Sequence, residues 1–294
     1  MVTPGRGAVT ERTPAPITDP AGRFAILAID HRDSLRRFLA PDDPDSLDAA
    51  DITALKVALV AGVGDLASGV MLEPEYSIPQ ILDAGVLPDG VGFLAALEAQ
   101  GYSDDPGAAP TTILSGWSIE QAAACGATAA KMLLPYHPDR PLAAAQERVA
   151  AETIAGCHEV GIPLLLEPLY YDLDRPEDRP RVVVETVRRL APLGPDVLKL
   201  PFPGTPDACR EVTSILELPW VMLSGGGPFE DFEGDLGVAL DGGCAGFAVG
   251  RALWGEAARA DPAARAATIR DLVRPRFERL VAMLDRYEAR GMTR

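Results

Sequence analysis

The sequence predicts a single α/β domain folded as a (β/α)8 barrel, also called a TIM barrel. The first observation is that eight short apolar segments alternate with segments of helical periodicity along the chain. The second is that several of these segments are apolar at every position, as parallel strands buried on both faces are. The third is the length of 294 residues, which suits one barrel. Eight βα units are the number that closes a parallel sheet into a barrel.

The predicted strands are short runs rich in leucine, isoleucine, valine and alanine. They are FAILAID (24–30), SGVML (68–72), TTIL (111–114), ATAAKMLL (127–134), IPLLLE (162–167), DVLKLPF (196–202), PWVMLS (219–224) and AGFAVG (245–250). A doubly wound open sheet is the alternative, because it is also built from alternating strands and helices. No GxGxxG or GxxxxGK[ST] motif follows the first strand, which favours the barrel.

Helical patterns fill the stretches between the strands. They cover residues 50–67, a segment beginning at the capping-box pair Ser118 and Gln121, and residues 139–160, 179–193, 206–218 and 229–243. The C-terminal segment predicts one or two closing helices, with a break or kink at Pro275. Residues 1–20 are rich in proline and threonine and predict a flexible N-terminal arm, which leaves residues 21–294 for the barrel.

Composition excludes several classes of function. The net charge of −16 argues against nucleic acid or an anionic membrane surface as a partner, but not against a small anionic substrate held in a locally positive site. The four cysteines show no CxxC spacing and are expected to be reduced core or near-core residues. No segment approaches the about 20 apolar residues of a membrane span, and no signal peptide is recognisable, so a cytoplasmic protein is expected.

Lysine is scarce, since the chain has 24 arginines but only three lysines, Lys56, Lys131 and Lys199. Where charge alone suffices, arginine supplies it, so the lysines are candidates for chemistry that a guanidinium cannot perform, such as nucleophilic attack by an amine. Lys199 lies between two leucines in GPDVLKLPFPG, where it interrupts an apolar strand. Lys56 lies on a predicted amphipathic helix, where packing or an ion pair is the expected role.

Four polar residues interrupt or end predicted strands. Asp30 ends the first strand, Lys131 lies within the fourth, Glu167 ends the fifth and Lys199 lies within the sixth. The carboxyl ends of barrel strands form one mouth, where barrel enzymes carry out their chemistry, so these side chains are expected to converge there. A purely structural cluster of salt bridges is the alternative interpretation.

Two lysines on nearby strands favour amine chemistry. Each disfavours charging of the other, and burial penalises an ammonium group, so one amine is expected to be partly neutral near neutral pH. A neutral amine attacks a ketone to form a carbinolamine and then a protonated imine, which is an electron sink for cleaving the adjacent carbon–carbon bond. Glu167 is expected to move protons to and from the carbinolamine and a substrate hydroxyl.

Glycine-rich loops follow the last two predicted strands and predict a phosphate site. Backbone N–H groups approach an anion closely at such loops, and a following helix N-terminus adds its dipole. Arg251 offers a two-pronged contact for phosphate or sulfonate oxygens. The residues expected to hold the anion are Ser224, Gly225, Gly226, Gly250 and Arg251. No cofactor is predicted, and no metal site either, because His31 is the only histidine directly after a strand end.

The ordered motifs resemble those of the class I tagatose 1,6-bisphosphate aldolase family, which includes bacterial sulfofructose-1-phosphate aldolases. The similar segments are AIDHRDSLR, SGVMLEPEYS, GATAAKMLLPYHPD, PLLLEPLYYD, DVLKLPFPG, PWVMLSGGGPFEDF and GCAGFAVGRALW, which span residues 24–255. The resemblance implies a (β/α)8 barrel, a homo-oligomer, and reversible cleavage of a ketose 1-phosphate to dihydroxyacetone phosphate and a three-carbon aldehyde. It implies no cofactor.

The resemblance also assigns roles to residues. It places Lys199 at the family's Schiff-base lysine and Glu167 at its acid/base glutamate, with Lys131 and Asp30 at flanking active-site positions. The two glycine-rich loops match those that hold the substrate's anionic groups.

One departure concerns the residues after the first strand. The family commonly reads Asp-Gln-Arg, whereas this chain reads Asp30-His31-Arg32, so His31 and Arg32 are expected at the substrate and His31 is expected to alter recognition of its distal end. Two other functions stay open on the sequence. One is a sugar-phosphate isomerase or epimerase with Glu167 as base, and the other is a non-catalytic barrel that binds a sugar phosphate or serves as a scaffold.

Overall fold

The structure, a computed structural model, describes residues 17–99, 101 and 105–288, and its strands form a closed parallel barrel in chain order. This confirms the predicted (β/α)8 fold. The strands are β1 (Phe24–Ala28), β2 (Gly69–Leu72), β3 (Gly92–Ala96), β4 (Ala129–Pro135), β5 (Leu164–Leu169), β6 (Val197–Leu200), β7 (Trp220–Leu223) and β8 (Gly246–Val249). Pairing of β1 with β8 closes the sheet.

Helices surround the barrel and begin where the sequence supplies a start signal. They are α1 (Asp33–Leu39), α2 (Ala49–Val63), α3 (Ile78–Ala84), α4 (Ile119–Ala124), α5 (Ala143–Val160), α6 (Arg179–Leu190), α7 (Pro206–Ile215), α8 (Phe229–Asp241), α9 (Arg251–Arg259), α10 (Pro262–Thr268) and α11 (Arg274–Glu288). The hydroxyl of Ser118 accepts the backbone N–H of Gln121 at the start of α4, and Thr205 caps α7 in the same way. The predicted cap at Ser118 is thereby confirmed.

The third predicted strand was wrong. The strand is Gly92–Ala96, whereas TTIL (111–114) lies in the following loop and contributes one antiparallel bridge, between Ile113 and Glu98. TTIL was predicted as a strand because threonine and isoleucine are β-branched and favour strands. The true strand, GFLAA, has no β-branched residue. The barrel admits small residues there because β3 is buried on both faces between β2 and β4.

The predicted N-terminal arm falls mostly on residues 1–16, which lie outside the described residues. Its described end does not behave as an arm, because Ile17 is fully buried inside the barrel against residues such as Phe24 and Leu94. The Cβ position of Gly69 lies 3.3 Å from Ile17, so the strand leaves room for this side chain. Residue 17 therefore belongs to the barrel core.

The C-terminal segment, predicted to form one or two helices, forms two. A turn of π-helix (Ile269–Val273) joins α10 to α11, and Pro275 is the second residue of α11. Proline cannot donate a hydrogen bond to the preceding turn and its ring crowds that turn's carbonyl, which explains a wider turn at this position. Pro275 thus alters the helix path without ending it.

Two general expectations can be compared with the described part of the chain. Cys157, Cys209 and Cys244 are buried, Cys125 is partly exposed, and all four are unbridged, as expected of reduced core residues. Within the same described part, no helix combines the length and the apolar character needed to cross a membrane.

Candidate active site

Lys199 lies at the centre of the barrel mouth. It is 3% exposed, between the buried leucines of β6. Its Nζ lies 2.8 Å from Oε1 of Glu167 on the adjacent strand β5 and 3.8 Å from the sulfur of Met71 on β2. Among the described residues, the amine therefore contacts one carboxylate and one thioether, and it lines an open cavity.

Lys131 lies in a different environment, although it is only two strands away. Its Nζ lies 2.6 Å from Oε1 of Glu98, 2.8 Å from Oδ2 of Asp30 and 3.1 Å from Oε2 of Glu167. An ammonium has three N–H donors, so three carboxylates can use all of them. The side chain is completely buried and is not part of the cavity wall. Lys131 is thus a buried cation rather than an accessible nucleophile.

Glu167 connects the two lysines. One of its carboxylate oxygens contacts Lys199 and the other contacts Lys131. In the register of β4 and β5, Leu133 lies beside Glu167 and Lys131 lies beside Leu165, so Glu167 is two residues further along its strand than the partner of Lys131. A carboxylate in this position can exchange a proton with the Lys199 amine while Lys131 keeps it in place.

Glu98 belongs to the cluster and sequence reasoning did not identify it. It follows β3, is 3% exposed, and makes the shortest of the three ion pairs to Lys131. The misplaced third strand hid it, because a glutamate that ends an apolar run is the same signal that identified Glu167. Reading VGFLAALE (91–98) as a strand followed by an acid would have found it.

Asp30 completes the cluster from the end of β1. Burial alone would raise the pKa of its carboxyl, but Lys131 and Lys199 outweigh that effect and hold the pKa of Asp30 well below its usual range. The carboxylate is therefore charged near pH 7. Like Lys131, Asp30 does not form part of the cavity wall.

The cavity at the mouth has a volume of about 200 Å³. Its wall joins the reactive lysine to the two glycine-rich loops that the sequence assigned to an anion. The predicted residues that line it are Glu167, Lys199, His31, Ser224, Gly225, Gly226, Gly250 and Arg251. The structure therefore brings together in one cavity eight of the eleven predicted site residues. The other three are Lys131, Asp30 and Arg32.

The loops after β7 and β8 contact each other. The backbone N–H of Gly250 donates to Oγ of Ser224 at 3.2 Å. Gly225 and Gly226 have φ of 60° and 77°, which a side chain would strain. A Cβ on Gly250 would lie 2.9 Å from Cε1 of His31, so this close approach requires glycine. Helix α9 begins directly after Gly250, and no described side chain caps its first N–H groups.

Arg251 is held from outside the cavity. Its guanidinium stacks 5.7 Å from the ring centre of Phe38 and donates a long hydrogen bond of 3.4 Å to the carbonyl of Ser34. The Cβ position of Gly226 would lie 3.4 Å from Nη2 of Arg251, which places the guanidinium against the loop after β7. An anion bound between the two loops would therefore meet this cation directly.

His31 lies on the side of the glycine-rich loops. Its ring contacts Gly250 and packs edge-on against Trp254 at 5.4 Å, while Nδ1 lies 3.8 Å from Oδ1 of Asp30. Burial lowers the pKa of the imidazole to about 3, with Asp30 opposing this and Arg251 and Lys199 adding to it. The ring is therefore neutral near pH 7, when it offers one N–H donor and one acceptor.

Arg32 does not line the cavity. Its Nη2 donates to the backbone carbonyls of Glu98 at 2.6 Å and Ala99 at 3.3 Å. The side chain is buried and fixes the loop that carries Glu98. The expectation that it contacts the substrate receives no support from this geometry.

Lys56 forms the ion pair that its place on a helix predicted. The side chain is 1% exposed and its Nζ lies 2.5 Å from Oε1 of Glu73, which follows β2 and is itself fully buried. Burial lowers the pKa of Lys56, and Glu73 opposes that shift. Glu73 also accepts backbone N–H groups of Glu75 and Tyr76, so this pair fixes the turn after β2.

Known proteins are similar to this chain over most of its length. Residues 24–256 match the DeoC/LacD family aldolase description. The chain is 30% identical over 271 residues to the tagatose 1,6-diphosphate aldolase of Streptococcus agalactiae serotype V, with 81% of this chain and 82% of that protein covered. The corresponding protein of Staphylococcus epidermidis is 27% identical over 280 residues, with 83% and 84% covered.

A solved structure of a Schiff-base-forming fructose-1,6-bisphosphate aldolase has a similar backbone. The TM-score is 0.61 at 23% identity, with 87% of this chain and 95% of that chain covered. At this identity the similarity concerns the barrel fold.

Proposed function

The chain belongs to the DeoC/LacD family of aldolases and is a class I aldolase, a carbon–carbon lyase, and on that premise we propose that it reversibly cleaves a ketose 1-phosphate. The products are dihydroxyacetone phosphate and a three-carbon aldehyde. The substrate is a tagatose or fructose bisphosphate, or a sulfofructose 1-phosphate. The observation that carries this proposal is the Lys199 amine, 2.8 Å from Glu167, in a cavity that ends at two glycine-rich loops.

Lys199 is the nucleophile in this proposal. It faces the cavity and has one carboxylate partner, whereas the ammonium of Lys131 is surrounded by three. Freeing Lys131 for attack would take from three buried carboxylates the cation that they share, which is costly. Lys131 therefore serves as the cation that holds Glu167.

The first step makes the imine. Glu167 takes the ammonium proton of Lys199, and the neutral amine adds to the substrate ketone to give a carbinolamine. Glu167 returns the proton to the carbinolamine hydroxyl, which leaves as water, and a protonated imine remains. The contact of 2.8 Å between Nζ of Lys199 and Oε1 of Glu167 is short enough for the first of these transfers.

The second step breaks the carbon–carbon bond. Glu167, charged again after losing its proton, takes the proton of the substrate's C4 hydroxyl, and the C3–C4 electrons flow into the imine to give an enamine. The aldehyde leaves, and the enamine takes up a proton at C3 from Glu167. Water then hydrolyses the imine to release dihydroxyacetone phosphate and regenerate Lys199.

The phosphate binds between the loops after β7 and β8. The support is the start of α9 directly after Gly250, which no described side chain caps, the two positive-φ glycines and the Arg251 guanidinium at the same cavity wall. His31 adds a neutral hydrogen-bonding ring there, since it contacts Gly250. We also propose, from the family, that the chain works as a cytoplasmic homo-oligomer.

Borohydride reduction in the presence of dihydroxyacetone phosphate tests the function. A class I enzyme traps one glyceryl phosphate unit on the nucleophile, so we expect a stable adduct that peptide mass mapping locates at Lys199. The Lys199→Arg variant should give no adduct, because arginine cannot form the imine. Product release from a panel of ketose 1-phosphates with a distal phosphate, sulfonate or hydroxyl then identifies the sugar.

Absence of an adduct on wild-type Lys199 would contradict the proposal. Retained turnover of a sugar phosphate by Lys199→Arg would instead favour an isomerase or epimerase with Glu167 as base. Thermal stabilisation by sugar phosphates without any turnover would favour a binding protein.

A further inference from the structure

We propose that Glu98 is a positioning residue of the reaction, which anchors Lys131 so that Lys131 holds Glu167 beside Lys199. The proposal rests on the function proposed above and concerns a residue that is not part of the cavity wall. Glu98 therefore acts through Lys131 and Glu167 rather than by touching the substrate.

The contacts of Glu98 fix its carboxylate at both oxygens. Oε1 lies 2.6 Å from Nζ of Lys131, and Oε2 accepts the backbone N–H of Leu133 at 3.0 Å. Both partners belong to β4, so the carboxylate bridges a side chain and the backbone of the same strand. The carbonyl of Glu98 accepts from Arg32, and the antiparallel bridge to Ile113 holds the residue from the other side.

Lys131 is held unequally by its three carboxylates. The distances to Glu98 and Asp30 are 2.6 and 2.8 Å, whereas the distance to Glu167 is 3.1 Å. The two shorter pairs come from residues outside the cavity wall, and the longest comes from the carboxylate that lines the cavity. This inequality leaves Glu167 free enough to carry a proton while its position stays fixed.

Removal of the charge on Glu98 should change that balance. Lys131 would then have Asp30 and Glu167 as its remaining charged partners. Its attraction to Glu167 would no longer compete with its attraction to a Glu98 carboxylate. A tighter pair between Lys131 and Glu167 holds the carboxylate away from Lys199. Each proton transfer through Glu167 would therefore be slower, while the phosphate loops would be unaffected.

The test uses dihydroxyacetone phosphate alone. A class I aldolase in D₂O exchanges a C3 hydrogen of this molecule through the imine and enamine, and proton NMR follows the exchange. The variant Glu98→Gln keeps an oxygen for the N–H of Leu133 but loses the charge. We expect its maximal exchange rate to fall about 10- to 100-fold, with KM for dihydroxyacetone phosphate within about two-fold of wild type.

Glu73→Gln is the matched control. Glu73 is also a buried glutamate after a strand, paired with a buried lysine at 2.5 Å, and it does not line the cavity. We expect this variant to lose stability and to keep the wild-type exchange rate per adduct-forming chain. Borohydride labelling at completion measures the fraction of adduct-forming chains in each preparation.

Wild-type exchange in Glu98→Gln would overturn the proposal. An equal slowing in Glu73→Gln, once corrected for the labelled fraction, would also overturn it, because the effect would then be structural.

If Glu98→Gln does not fold, Glu98→Asp replaces it, since the shorter side chain reaches only one of the two partners. A several-fold slower exchange at unchanged KM supports the proposal, and unchanged exchange overturns it. Failure of the wild type to form any adduct would overturn the proposed function as well.

Discussion

His31 shows what burial does to a single residue at this mouth. The ring is packed between Trp254, Gly250 and Asp30, and its pKa of about 3 lies below the 6.5 of a free histidine. The unfolded chain therefore binds a proton before the folded chain does. The stability that the neutral His31 ring contributes is fully present above about pH 6.5. It is lost as the pH drops towards 3, because the ring becomes protonated when the chain unfolds.

The stability of the protein should record this proton uptake. Between pH 7.5 and pH 5 we expect His31 to lower the free energy of unfolding by about 2 kcal/mol, measured by urea titration at each pH. The variant His31→Gln has nothing to protonate at this position, so its loss over the same interval should be smaller by that amount. Equal losses in the two proteins would show that His31 titrates normally in the folded state.

Sequence reasoning identified the site where a charged residue interrupted an apolar strand. This signal located Asp30, Lys131, Glu167 and Lys199, all of which meet at the mouth. The scarcity of lysine added weight, since each of the three lysines proved to be buried next to a carboxylate. Which lysine faces the cavity could not be read from the sequence, because it depends on three carboxylates contributed by separate strands.

At the scale of elements, the loops after β7 and β8 work as a pair. Their hydrogen bond between Gly250 and Ser224, and the close contact of Gly250 with His31, fix the gap in which an anion would lie. The gap depends on the absence of a side chain at Gly250, whose added Cβ would also lie 3.4 Å from the carbonyl of Ala28.

Gly250→Ala should therefore weaken anion binding without touching the lysine chemistry. The new methyl group must push His31 aside, and we expect KM for dihydroxyacetone phosphate in the exchange reaction to rise about tenfold with a similar maximal rate. Gly227→Ala is the control in the neighbouring loop, because a Cβ there meets nothing within 4 Å. An unchanged KM in Gly250→Ala would place the anion elsewhere.

The elements were predictable where burial and propensity agreed. The apolar runs of β5 and β7 and the cap of α4 were recognised in the sequence. They disagreed at β3, where GFLAA forms the strand and the β-branched TTIL forms the loop. Barrel closure requires a strand between β2 and β4, and that requirement is a property of the sheet rather than of either segment.

At the scale of the whole molecule, the barrel separates chemistry from stability. The charged cluster occupies the mouth, while the opposite part of the interior is filled by an apolar cluster that includes Ile17, Phe24, Leu94 and Val197. Such a separation is typical of barrels, whose catalytic residues lie at the carboxyl ends of the strands and whose stabilising residues lie at the opposite ends. Ile17 enters this cluster from before β1, which the sequence pattern of a proline-rich arm concealed.

Substitution of Ile17 should separate the two halves experimentally. We expect Ile17→Ala to lower the free energy of unfolding by about 2 to 5 kcal/mol, since it leaves a cavity in a fully buried cluster. Ile17→Val should cost about 0.5 to 1.5 kcal/mol. Both variants should keep the wild-type exchange rate at temperatures where they are folded. A loss below about 0.5 kcal/mol in Ile17→Ala would show that this residue adds little to the core.

The burial and ion pairs of Lys56 and Lys131 also determine which lysines of the folded protein react with amine-directed reagents. Acylating and alkylating reagents must reach the nitrogen, and Lys56 and Lys131 are buried, paired with carboxylates and outside the wall of the cavity at the mouth. Lys199 is the lysine that opens onto a cavity. A small lysine-directed fluorophore would thus label the Lys199 side chain of the folded protein. A ligand in the cavity would block this labelling, and unfolding would expose Lys56 and Lys131 as two further labelling sites.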